Sequence, residues 1–432
     1  MEKEKKLAIL GFGREGQAVF KFIKKDKEFK DFDVFILDKN KNIKIPKNTK
    51  NRLGEDYLKN LNQFDIVIRS PGIPYNLQEI QKAVSKRVIF KSATSLFFEK
   101  AKGQIIGITG TKGKGTTSTL LYKILKNCGH DVYLAGNIGK PAIEILKNLK
   151  KKSISILELS SFQLQDLKVS PSIALILNIF PDHQDSHKNL EEYFKSKLNV
   201  GKFQKSGDKL FFIENSFVQK TTKLGRGKKI PIKVDRSNSF FTDVEKNIKI
   251  PGRHNLKNAI AAATLASFLK CPKYVIIKTI QNFKGLEHRL EFVKKIKNIR
   301  FYNDSASTNP QTTIAAIKAF REPKILIAGG KDKNLDYTDW PKVIKENNVK
   351  TVVLFGENKE KMGGALENKK LAIEVKLCSD LGESIESAYN IASKEKSSEV
   401  LIIFSPGSAS FDMFKDYAER GRAFKKLVNM IK

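Results

Sequence analysis

The sequence predicts an α/β fold of three domains, each with a mostly parallel sheet, and three observations predict it. Short β-branched runs that stop at Gly, Asp or Ser alternate with longer amphipathic stretches, which is typical of strands joined by crossover helices. This pattern restarts twice, near residues 94 and 285. A chain of 432 residues with 40% hydrophobic content is long enough for two or three separate cores.

The domains are predicted to cover residues 1–94, 95–285 and 286–432. In the first, the predicted strands are KLAIL, DVFIL, DIVIR and RVIF. The second opens with the strand QIIGIT and continues through SISILEL and SIALILNIF to the helix NLKNAIAAATLASFL. The third has the strands IRFYND, KILIAGG, TVVLFG and EVLIIFS, and we expect a last helix from Phe411 onward.

The net charge of +34 would ordinarily suggest nucleic acid or an anionic membrane as partner. However, 68 of the 80 cationic residues are Lys and only 12 are Arg, and the lysines are spread over the whole chain. Arg, with its planar fork, is the residue that reads bases, whereas Lys is a solvated point charge. We therefore expect no nucleic-acid partner, but a positive field that attracts a polyanionic substrate.

The three cysteines, Cys128, Cys271 and Cys378, are far apart and form no CxxC pair. They predict neither a disulfide framework nor a thiolate zinc site, and hence a reducing compartment. The first apolar run breaks at Gly11, too early for a signal peptide, and no later run approaches the roughly 20 apolar residues of a membrane span. A cytoplasmic protein without a membrane span is expected.

A GxGxxG turn follows the first strand, with Gly11, Gly13 and Gly16 at the fixed positions. Such a turn brings a helix N-terminus close to a phosphate, as in Rossmann-like domains. Asp38 closes the second strand, 22 residues beyond Gly16. Taken alone, this pattern indicates NAD or FAD, and the alternative is a tight turn without a ligand.

The segment TGTKGKGTT, residues 109–117, lies between the strand QIIGIT and an amphipathic helix. Backbone amides of such a turn can bind phosphate, and Lys114 would reach the outer phosphates. The strict P-loop pattern is missed twice, because Ile108 stands in place of Gly and Gly115 in place of Ser or Thr. Nucleotide binding is favoured, with a surface glycine-rich turn as the alternative.

Two further strand ends of the second domain carry polar side chains. Glu158 follows SISIL, and Asp182 with His183 follows SIALILNIF. A carboxylate and an imidazole near nucleotide phosphates suit a divalent cation, normally Mg²⁺. The alternatives are that Glu158 caps the next turn and that His183 is an ordinary loop histidine. Lys197, in the helix LEEYFKSKLNVGKF, reads from composition as one more solvated lysine.

Six segments in order make the chain resemble the Mur ligase family over its whole length. They are TGTKGKGTT, ELSSFQL, FPDH, PGRHNLKNAIAA, LEHRLE and NDSASTNP. ELSSFQL, the GNIG at residues 136–139 and the tail FSPGSASFDMFKDYAERG are most similar to the members that add D-glutamate. The GxGxxG turn then reads as a uridine nucleotide site in a Rossmann-like N-terminal domain. A central P-loop-type ATPase domain and a Rossmann-like C-terminal domain follow.

The resemblance implies an ATP-dependent ligase that joins D-glutamate to UDP-N-acetylmuramoyl-L-alanine through an acyl phosphate, in cytoplasmic peptidoglycan precursor synthesis. It implies ATP and two Mg²⁺ sites as cofactors, small-molecule substrates and a monomer. The implied catalytic residues are Lys114, Glu158, His183 and Lys197. The implied ATP-binding residues are Gly110, Thr111, Lys112, Gly113, Lys114, Gly115, Thr116, Asn255, Asn258, Arg289 and Asp304.

The same resemblance assigns the metal and the substrates. Thr116 and Glu158 would serve one Mg²⁺, and His183 and Lys197 a second, with Lys197 present as a carbamate. The implied UDP-sugar residues are Gly11, Gly13, Ser70, Pro71, Gly72 and Asn137. The implied D-glutamate residues are Thr308, Lys333, Ser410 and Tyr417.

Three positions depart from the family pattern. Gly115 removes a hydroxyl after the P-loop lysine, so we expect Thr116 to carry more of the contact with Mg²⁺. Ala306 stands where NDSKATN has a lysine near the reacting carboxylate. Lys39 and Asn40 replace a familiar Thr-Arg pair after the second strand, which leaves the uracil contacts open.

Three other functions stay open at this point. A different amide ligase of the same type, such as a folylpolyglutamate-synthase-like enzyme, would use the same chemistry, but the tail has no Asn-Pro-Arg segment for diaminopimelate or lysine. A nicotinamide-dependent oxidoreductase would explain residues 11–16 but not TGTKGKGTT. A nucleic-acid-binding ATPase is favoured only by the charge.

Overall fold

The computed structural model describes residues 5–180, 189–214, 224–367 and 373–431. These residues belong to two compact units, one within residues 1–247 and 257–280 and the other within 248–256 and 281–432. The first unit contains a five-stranded and a six-stranded sheet, and the second contains another six-stranded sheet. The predicted α/β fold with three mostly parallel sheets is therefore confirmed, while the predicted boundaries stay predictions.

The first sheet is parallel throughout and has the order β3-β2-β1-β4-β5. Its strands are β1 (Lys5–Leu10), β2 (Phe32–Asp38), β3 (Lys50–Leu53), β4 (Ile66–Arg69) and β5 (Ile89–Ser92). Every residue of β4 is buried, as expected for a parallel strand that is covered on both faces. The helices are α1 (Arg14–Ile23), α2 (Gln78–Ser85) and α3 (Ala93–Lys100).

A second parallel sheet has the order β11-β10-β9-β6-β8-β7. Its strands are β6 (Gln104–Thr109), β7 (Val132–Gly136), β8 (Ile154–Glu158), β9 (Ile173–Ile176), β10 (Lys209–Ile213) and β11 (Lys228–Ile232). Because β6 lies between β8 and β9, the crossovers reverse direction on either side of it. Open α/β sheets bind ligands at such a position, beyond the carboxyl ends of the strands.

Capping side chains start several helices around this sheet. Ser160 and Gln163 form a capping box at one, and the Asn189 side chain accepts from the Glu192 amide at another. The helices are α4 (Lys114–Asn127), α5 (Ala142–Ile145), α6 (Ser161–Leu164), α7 (Leu190–Lys202), α8 (Phe241–Asn247), α9 (Arg253–Phe268) and α10 (Lys273–Gln281).

The third sheet has the order β12-β13-β17-β14-β15-β16. Its strands are β12 (Glu291–Ile296), β13 (Ile299–Asn303), β14 (Lys324–Gly329), β15 (Val349–Phe355), β16 (Glu374–Leu377) and β17 (Val400–Phe404). Only β12 pairs antiparallel, against β13, among the strands that the structure describes. The carboxyl ends of β13, β17 and β14 therefore lie side by side at one edge of the sheet.

The last helix begins later than the sequence suggested. Residues 411–416 form turns, and the helix starts at Tyr417 because the Asp416 side chain caps it by accepting from the Glu419 amide. The helices of this domain are α11 (Pro310–Ile317), α12 (Trp340–Glu346), α13 (Lys359–Glu367), α14 (Leu381–Lys394) and α15 (Tyr417–Met430).

The prediction that the cysteines stay unpaired is wrong for two of them. Cys128, at the C-terminal end of α4, forms a disulfide with Cys271, which follows α9, and their Cα atoms are 5.8 Å apart. Cys378 is free and buried. The spacing along the chain gave no sign of this pair because the fold brings together two residues 143 positions apart. The cysteines therefore no longer support a reducing compartment.

Within the described ranges, no helix combines the length and the apolar composition that crossing a bilayer requires.

Candidate active site

The glycine turn after β1 has the geometry that its pattern predicts. Gly11 has φ +89°, and a Cβ atom there would lie 2.9 Å from the Cβ of Ser70. A Cβ at Gly16 would collide with the carbonyl oxygen of Gly11, whereas Gly13 is exposed with open space beside it. The Ser70 hydroxyl donates to the Gly11 carbonyl at 2.7 Å. Half-buried Pro71 and exposed Gly72 follow Ser70.

Both carboxylate oxygens of Asp38 are used within the protein. Oδ2 accepts from the Phe12 amide at 2.6 Å, and Oδ1 accepts from the Asn40 amide at 2.8 Å. In a nicotinamide site the corresponding acid receives the ribose hydroxyls. Here the Asp38 carboxylate accepts a hydrogen bond from the Phe12 amide of the glycine turn instead. This counts against the nicotinamide interpretation.

Two side chains from the first turn of α1 reach the second sheet domain. Gln163 donates to Glu15 Oε1 at 2.8 Å, and Arg14 donates to the Gly139 carbonyl at 3.2 Å. Burial raises the pKa of Glu15 above its usual value, and the Gln163 hydrogen bond and the charges of Arg14 and Arg69 offset this only in part. The Glu15 carboxyl therefore keeps its proton to higher pH than a solvated glutamate.

The loop between β6 and α4, which the sequence predicts to be a phosphate-binding turn, requires glycine at two positions. Gly110 and Gly113 have φ +156° and +87°, and a Cβ at Gly113 would collide with the Asn258 side chain. The Lys114 ammonium folds back and donates to the carbonyls of Gly110 and Thr111 at 2.9 and 3.1 Å. First-turn amides have no acceptor inside their own helix and can bind phosphate oxygens. Further positions of this turn are the exposed Lys112 and the half-buried Gly115 and Thr116.

Helix α7 supports this turn with two side chains one helical turn apart. The Tyr193 hydroxyl and Thr111 Oγ1 are 2.9 Å apart, and the Lys197 ammonium donates to the Gly110 carbonyl at 3.0 Å. Lys197 also lies over the Tyr193 ring, 4.7 Å from its centroid. Lys197 is only 2% exposed, so the interpretation as a solvated lysine is wrong.

Glu158 lies at the end of β8, between the ends of β6 and β7. It pairs in register with Ile108 on one side and Gly136 on the other. The carboxylate is 5% exposed and accepts from Asn137 Nδ2 at 2.9 Å. Ser160, not Glu158, caps α6. A buried carboxylate that is hydrogen-bonded to a neutral amide offers oxygen ligands for Mg²⁺, and the Thr116 hydroxyl offers another.

The remaining predicted metal residue, His183, and its neighbour Asp182 lie outside the described residues. In the part of the chain that the structure describes, no three His, Cys, Asp or Glu side chains group into a metal site. Thr116, Glu158 and Lys197 are thus the predicted metal residues whose positions are described.

Two predicted ATP residues, Asn255 and Asn258, lie in α9, and a third, Arg289, lies just before β12. Asn258 is 3% exposed and lies against Gly113, next to the phosphate-binding turn. Asn255 donates to the Pro251 carbonyl at 2.6 Å. Arg289 is exposed just before β12. Within the first unit, the structure therefore brings Asn258 to the phosphate-binding turn, and its role as a nucleotide contact stays a prediction.

Asp304, directly after β13, accepts three hydrogen bonds. The Ser307 and Ser405 hydroxyls donate at 2.5 and 2.8 Å, and the Leu290 amide donates at 3.1 Å. Burial raises the pKa of Asp304 to about 6, although these hydrogen bonds and the charge of Arg289 oppose the shift. Asp304 joins three segments of the third domain at the edge where β13 and β17 end.

Three of the four predicted D-glutamate residues follow neighbouring strands. Thr308 is half-buried after β13, and Ser410 is 2% exposed after β17. Lys333 is exposed after β14, and its ammonium lies 5.2 Å from the Phe411 ring centroid. Tyr417 is 44% exposed at the start of α15. Parallel pairing therefore brings Thr308, Lys333 and Ser410 to one edge of the sheet.

Arg420 and Asn178 are two supporting residues that sequence reasoning missed. Arg420 is completely buried and donates to the carbonyls of Ser408 and Ala409, both at 3.0 Å, beneath the segment that carries Ser410. The Asn178 side chain exchanges two hydrogen bonds with the Lys112 backbone, each 2.9 Å long. An Arg on the apolar face of a helix, and an Asn that ends an apolar strand, were the available signals.

Three family models match the chain. They are the Mur ligase MurD-like N-terminal domain over residues 5–90, the Mur ligase middle domain over 108–266 and the Mur ligase glutamate ligase domain over 288–406.

Relatives match over nearly the full length. The chain is 36% identical to a UDP-N-acetylmuramoylalanine–D-glutamate ligase of Acetivibrio thermocellus, covering 99% of this chain and 97% of the relative. A ligase of the same name from Clostridium tetani is 34% identical, covering 98% and 96%.

Solved structures share the fold. A UDP-N-acetylmuramate–alanine ligase from Thermotoga maritima has a TM-score of 0.56 at 16% identity, covering 99% of this chain and 100% of that one. A MurF ligase from Thermotoga maritima, solved with ADP, has a TM-score of 0.58 at 16% identity, covering 99% and 96%.

Proposed function

Because the chain belongs to the Mur ligase family of ATP-dependent amide-forming ligases, we propose that it joins D-glutamate to UDP-N-acetylmuramoyl-L-alanine in peptidoglycan precursor synthesis. The observation that carries the proposal is 34–36% identity, over almost the whole length, to relatives that bear this activity in their names. The order of the three matched domains and the phosphate-binding turn support it.

In the proposed reaction, an oxygen of the alanyl carboxylate attacks the γ-phosphorus of ATP, and ADP leaves. The D-glutamate amine then attacks the acyl phosphate, so that a C–N bond forms, the C–O bond to phosphate breaks and the amine loses a proton. Both partners of the first step are anions, so cations have to screen their approach. In our proposal Lys114, whose ammonium contacts two carbonyls of the turn, neutralises the outer phosphates.

Mur ligases use Mg²⁺, which when bound stabilises the charge that develops during phosphoryl transfer. The buried carboxylate of Glu158 and the hydroxyl of Thr116 fit its preference for oxygen ligands. In our proposal these two residues hold one ion. His183 and Lys197 serve a second, with Lys197 carrying a carbamate.

The two proposed nucleotide sites lie at the two glycine-rich turns, one after β1 and one after β6. The UDP-sugar is proposed to bind along the glycine turn and the strand end of β4, at Gly11, Gly13, Ser70, Pro71, Gly72 and Asn137. ATP is proposed to use the phosphate-binding turn, residues 110–116, together with Asn255, Asn258, Arg289 and Asp304. The open space beside Gly13 and the glycine-only geometry of Gly113 support the two assignments.

D-Glutamate is proposed to bind at the edge of the third sheet through Thr308, Lys333, Ser410 and Tyr417. Buried Arg420 adds a positive charge beneath the segment of Ser410, which favours an acidic amino acid. Because these substrates are cytoplasmic metabolites, we place the protein in the cytoplasm. We propose that it acts as a monomer without a nucleic-acid partner.

ADP release tests the proposed function. The purified protein is mixed with ATP, Mg²⁺ and UDP-N-acetylmuramoyl-L-alanine, and D-glutamate, L-glutamate, D-aspartate, L-lysine and diaminopimelate are offered in turn. Only D-glutamate should release ADP with formation of an amide product. Lys114→Ala should abolish the release, and Lys126→Ala, an exposed lysine near the other end of α4, should not. Equal turnover with another amino acid, or NADH binding without ADP release, would overturn the proposal.

A further inference from the structure

Arg69, the last residue of β4, is completely buried, and its side chain contacts the second sheet domain. Nε and Nη2 donate to the two carboxylate oxygens of Asp166 at 3.1 and 2.9 Å, and Nη2 donates to the Phe162 carbonyl at 3.1 Å. Nη1 donates to the carbonyls of Ser70, at 3.3 Å, and Ile73. A guanidinium has five N–H groups, so each of them has an acceptor.

One half of this network holds the turn of residues 70–73. Nη1 contacts the carbonyls at its two ends, and the Ser70 amide and hydroxyl are fixed to Leu10 and Gly11. The turn carries Ser70, Pro71 and Gly72, the proposed UDP-sugar residues. Arg69 therefore determines the shape of one wall of the nucleotide-sugar site.

The other half holds the segment that follows Glu158. Phe162 belongs to α6, which starts three residues after Glu158, and Asp166 lies just beyond its end. Asp166 is 7% exposed in its side chain, so the ion pair is shielded from water and salt. Through Asp166 and Phe162, the same guanidinium is joined to the strand and helix that place the proposed metal carboxylate.

We propose that Arg69 is a positioning residue that fixes the nucleotide-sugar turn relative to Glu158, so that the alanyl carboxylate meets the ATP phosphates in reactive alignment. This inference rests on the proposed function. Misplacement by about 1 Å costs on the order of 100-fold in rate, which is the scale on which such a residue acts. Lys could not replace it, because an ammonium has three donors and no planar fork for a carboxylate.

Two variants separate the halves of the network. Asp166→Asn weakens the anchor on the Glu158 side but leaves the bonds to Ser70 and Ile73. It should lower kcat by roughly 10- to 100-fold, while the Kd for UDP-N-acetylmuramoyl-L-alanine, measured by calorimetry without ATP, stays within about threefold. Arg69→Met removes both halves, so it should lower kcat and also weaken this Kd by about tenfold or more.

Asp33→Asn is the matched control, because it removes the ion pair between Asp33 of β2 and Lys50 of β3. These strands lie towards the other edge of the first sheet from β4. We expect wild-type kcat and Kd from it. Since removal of one partner of a buried pair can prevent folding, the double variant Arg69→Met/Asp166→Leu removes both charges together. It should fold and show the kcat and Kd losses of Arg69→Met.

Circular dichroism and thermal unfolding establish that each variant is folded at the assay temperature. A purely stabilising pair would lower the unfolding midpoint and leave kcat and Kd unchanged in the folded protein, which would overturn the role of Arg69. So would equal losses of Kd in Asp166→Asn and Arg69→Met. A wild-type protein that releases no ADP would instead overturn the proposed function, and this inference with it.

Discussion

Lys114 and Lys197 donate hydrogen bonds to one acceptor, the carbonyl oxygen of Gly110, over 2.9 and 3.0 Å. Lys197 belongs to α7, lies 87 positions after Gly110 in the sequence and is 2% exposed. The half-buried Lys114 ammonium and the buried Lys197 ammonium thus meet at one oxygen of the phosphate-binding turn. The neutral amine is the form that adds to CO₂, giving a carbamate and a proton. In our proposal, a carbamate on Lys197 would replace one of these two positive charges by a negative one beside Lys114.

Lys197→Ala should lower ligation by roughly 1,000-fold or more, because in our proposal the carbamate on Lys197 supplies an oxygen ligand for a cation that stabilises the transition state. ATP binding should survive, since Lys114 and the turn remain. A small carboxylic acid such as acetate should restore some ADP release by supplying the missing oxygens. Calorimetry with an ATP analogue and the ADP assay measure the two effects separately.

Lys195→Ala is the control for Lys197→Ala. Lys195 is solvated and paired with Glu191 one helical turn away, with side chains that are each 72% exposed. It should therefore be close to wild type. Mild and equal effects of the two substitutions would contradict a metal-binding role for Lys197.

Lys333→Ala should raise the KM for D-glutamate by one to two orders of magnitude. A charge-assisted contact with a carboxylate contributes about 1.5–3 kcal/mol, and Lys333 is exposed at the strand edge where Thr308 and Ser410 also lie. The KM for ATP should not change. Lys345→Ala, an exposed lysine at the end of α12, is the control. An unchanged D-glutamate KM would remove Lys333 from the site.

The sequence was sufficient to predict the strand ends that carry Glu158, Asp304 and Lys333. The central strands of parallel sheets are buried on both faces, so they appear as continuous apolar runs, and their carboxyl ends share one edge. The edge strands β3 and β16 give no such signal. β3 and β16, with sequences KNRL and EVKL, have no buried residue and were missed.

Side-chain partners across the fold were less predictable than strands. Lys197 has the local sequence of a solvated helix residue, and only the packing of α7 against the phosphate-binding turn buries it. Arg69 reads as a charge that ends a strand, and its partner Asp166 lies 97 positions away. Such pairs depend on how the sheets and helices are placed in space, which local periodicity does not encode.

Asp304 should give stability an unusual pH dependence. Its pKa rises from 3.8 to about 6 through burial, so between these values the folded protein binds more protons than the unfolded chain. Its contribution to the free energy of unfolding is therefore full below about pH 4 and falls, by at most about 3 kcal/mol, as pH rises through 6. Denaturant unfolding from pH 4 to 7 should show this loss relative to Asp304→Asn.

Asp339→Asn, at an exposed aspartate before α12, is the control for Asp304→Asn. The wild type should not lose stability relative to Asp339→Asn as the pH rises from 4 to 7. A pH-independent difference between wild type and Asp304→Asn would mean that the Asp304 carboxyl titrates as it does in water.

Reduction of the Cys128–Cys271 disulfide should destabilise the second sheet domain. The bond closes a loop between residues 143 positions apart, from the end of α4 to the segment after α9. Restricting the unfolded chain over such a loop stabilises the folded state by roughly 2–5 kcal/mol. A phosphine reductant should therefore lower the unfolding midpoint by roughly 5–15 °C. Thermal unfolding with and without reductant measures the shift.

Two cysteine variants decide whether this bond is the cause. Cys128→Ser/Cys271→Ser should unfold at the lower midpoint and no longer respond to reductant, whereas Cys378→Ser should keep the response, since Cys378 is free and buried. Disulfides are uncommon in cytosolic proteins, so trapping the thiols in cells by alkylation and mass spectrometry is the decisive measurement. If both cysteines are alkylated quantitatively, and reductant leaves the midpoint of the purified protein unchanged, the pair is a reduced contact and not a structural bond.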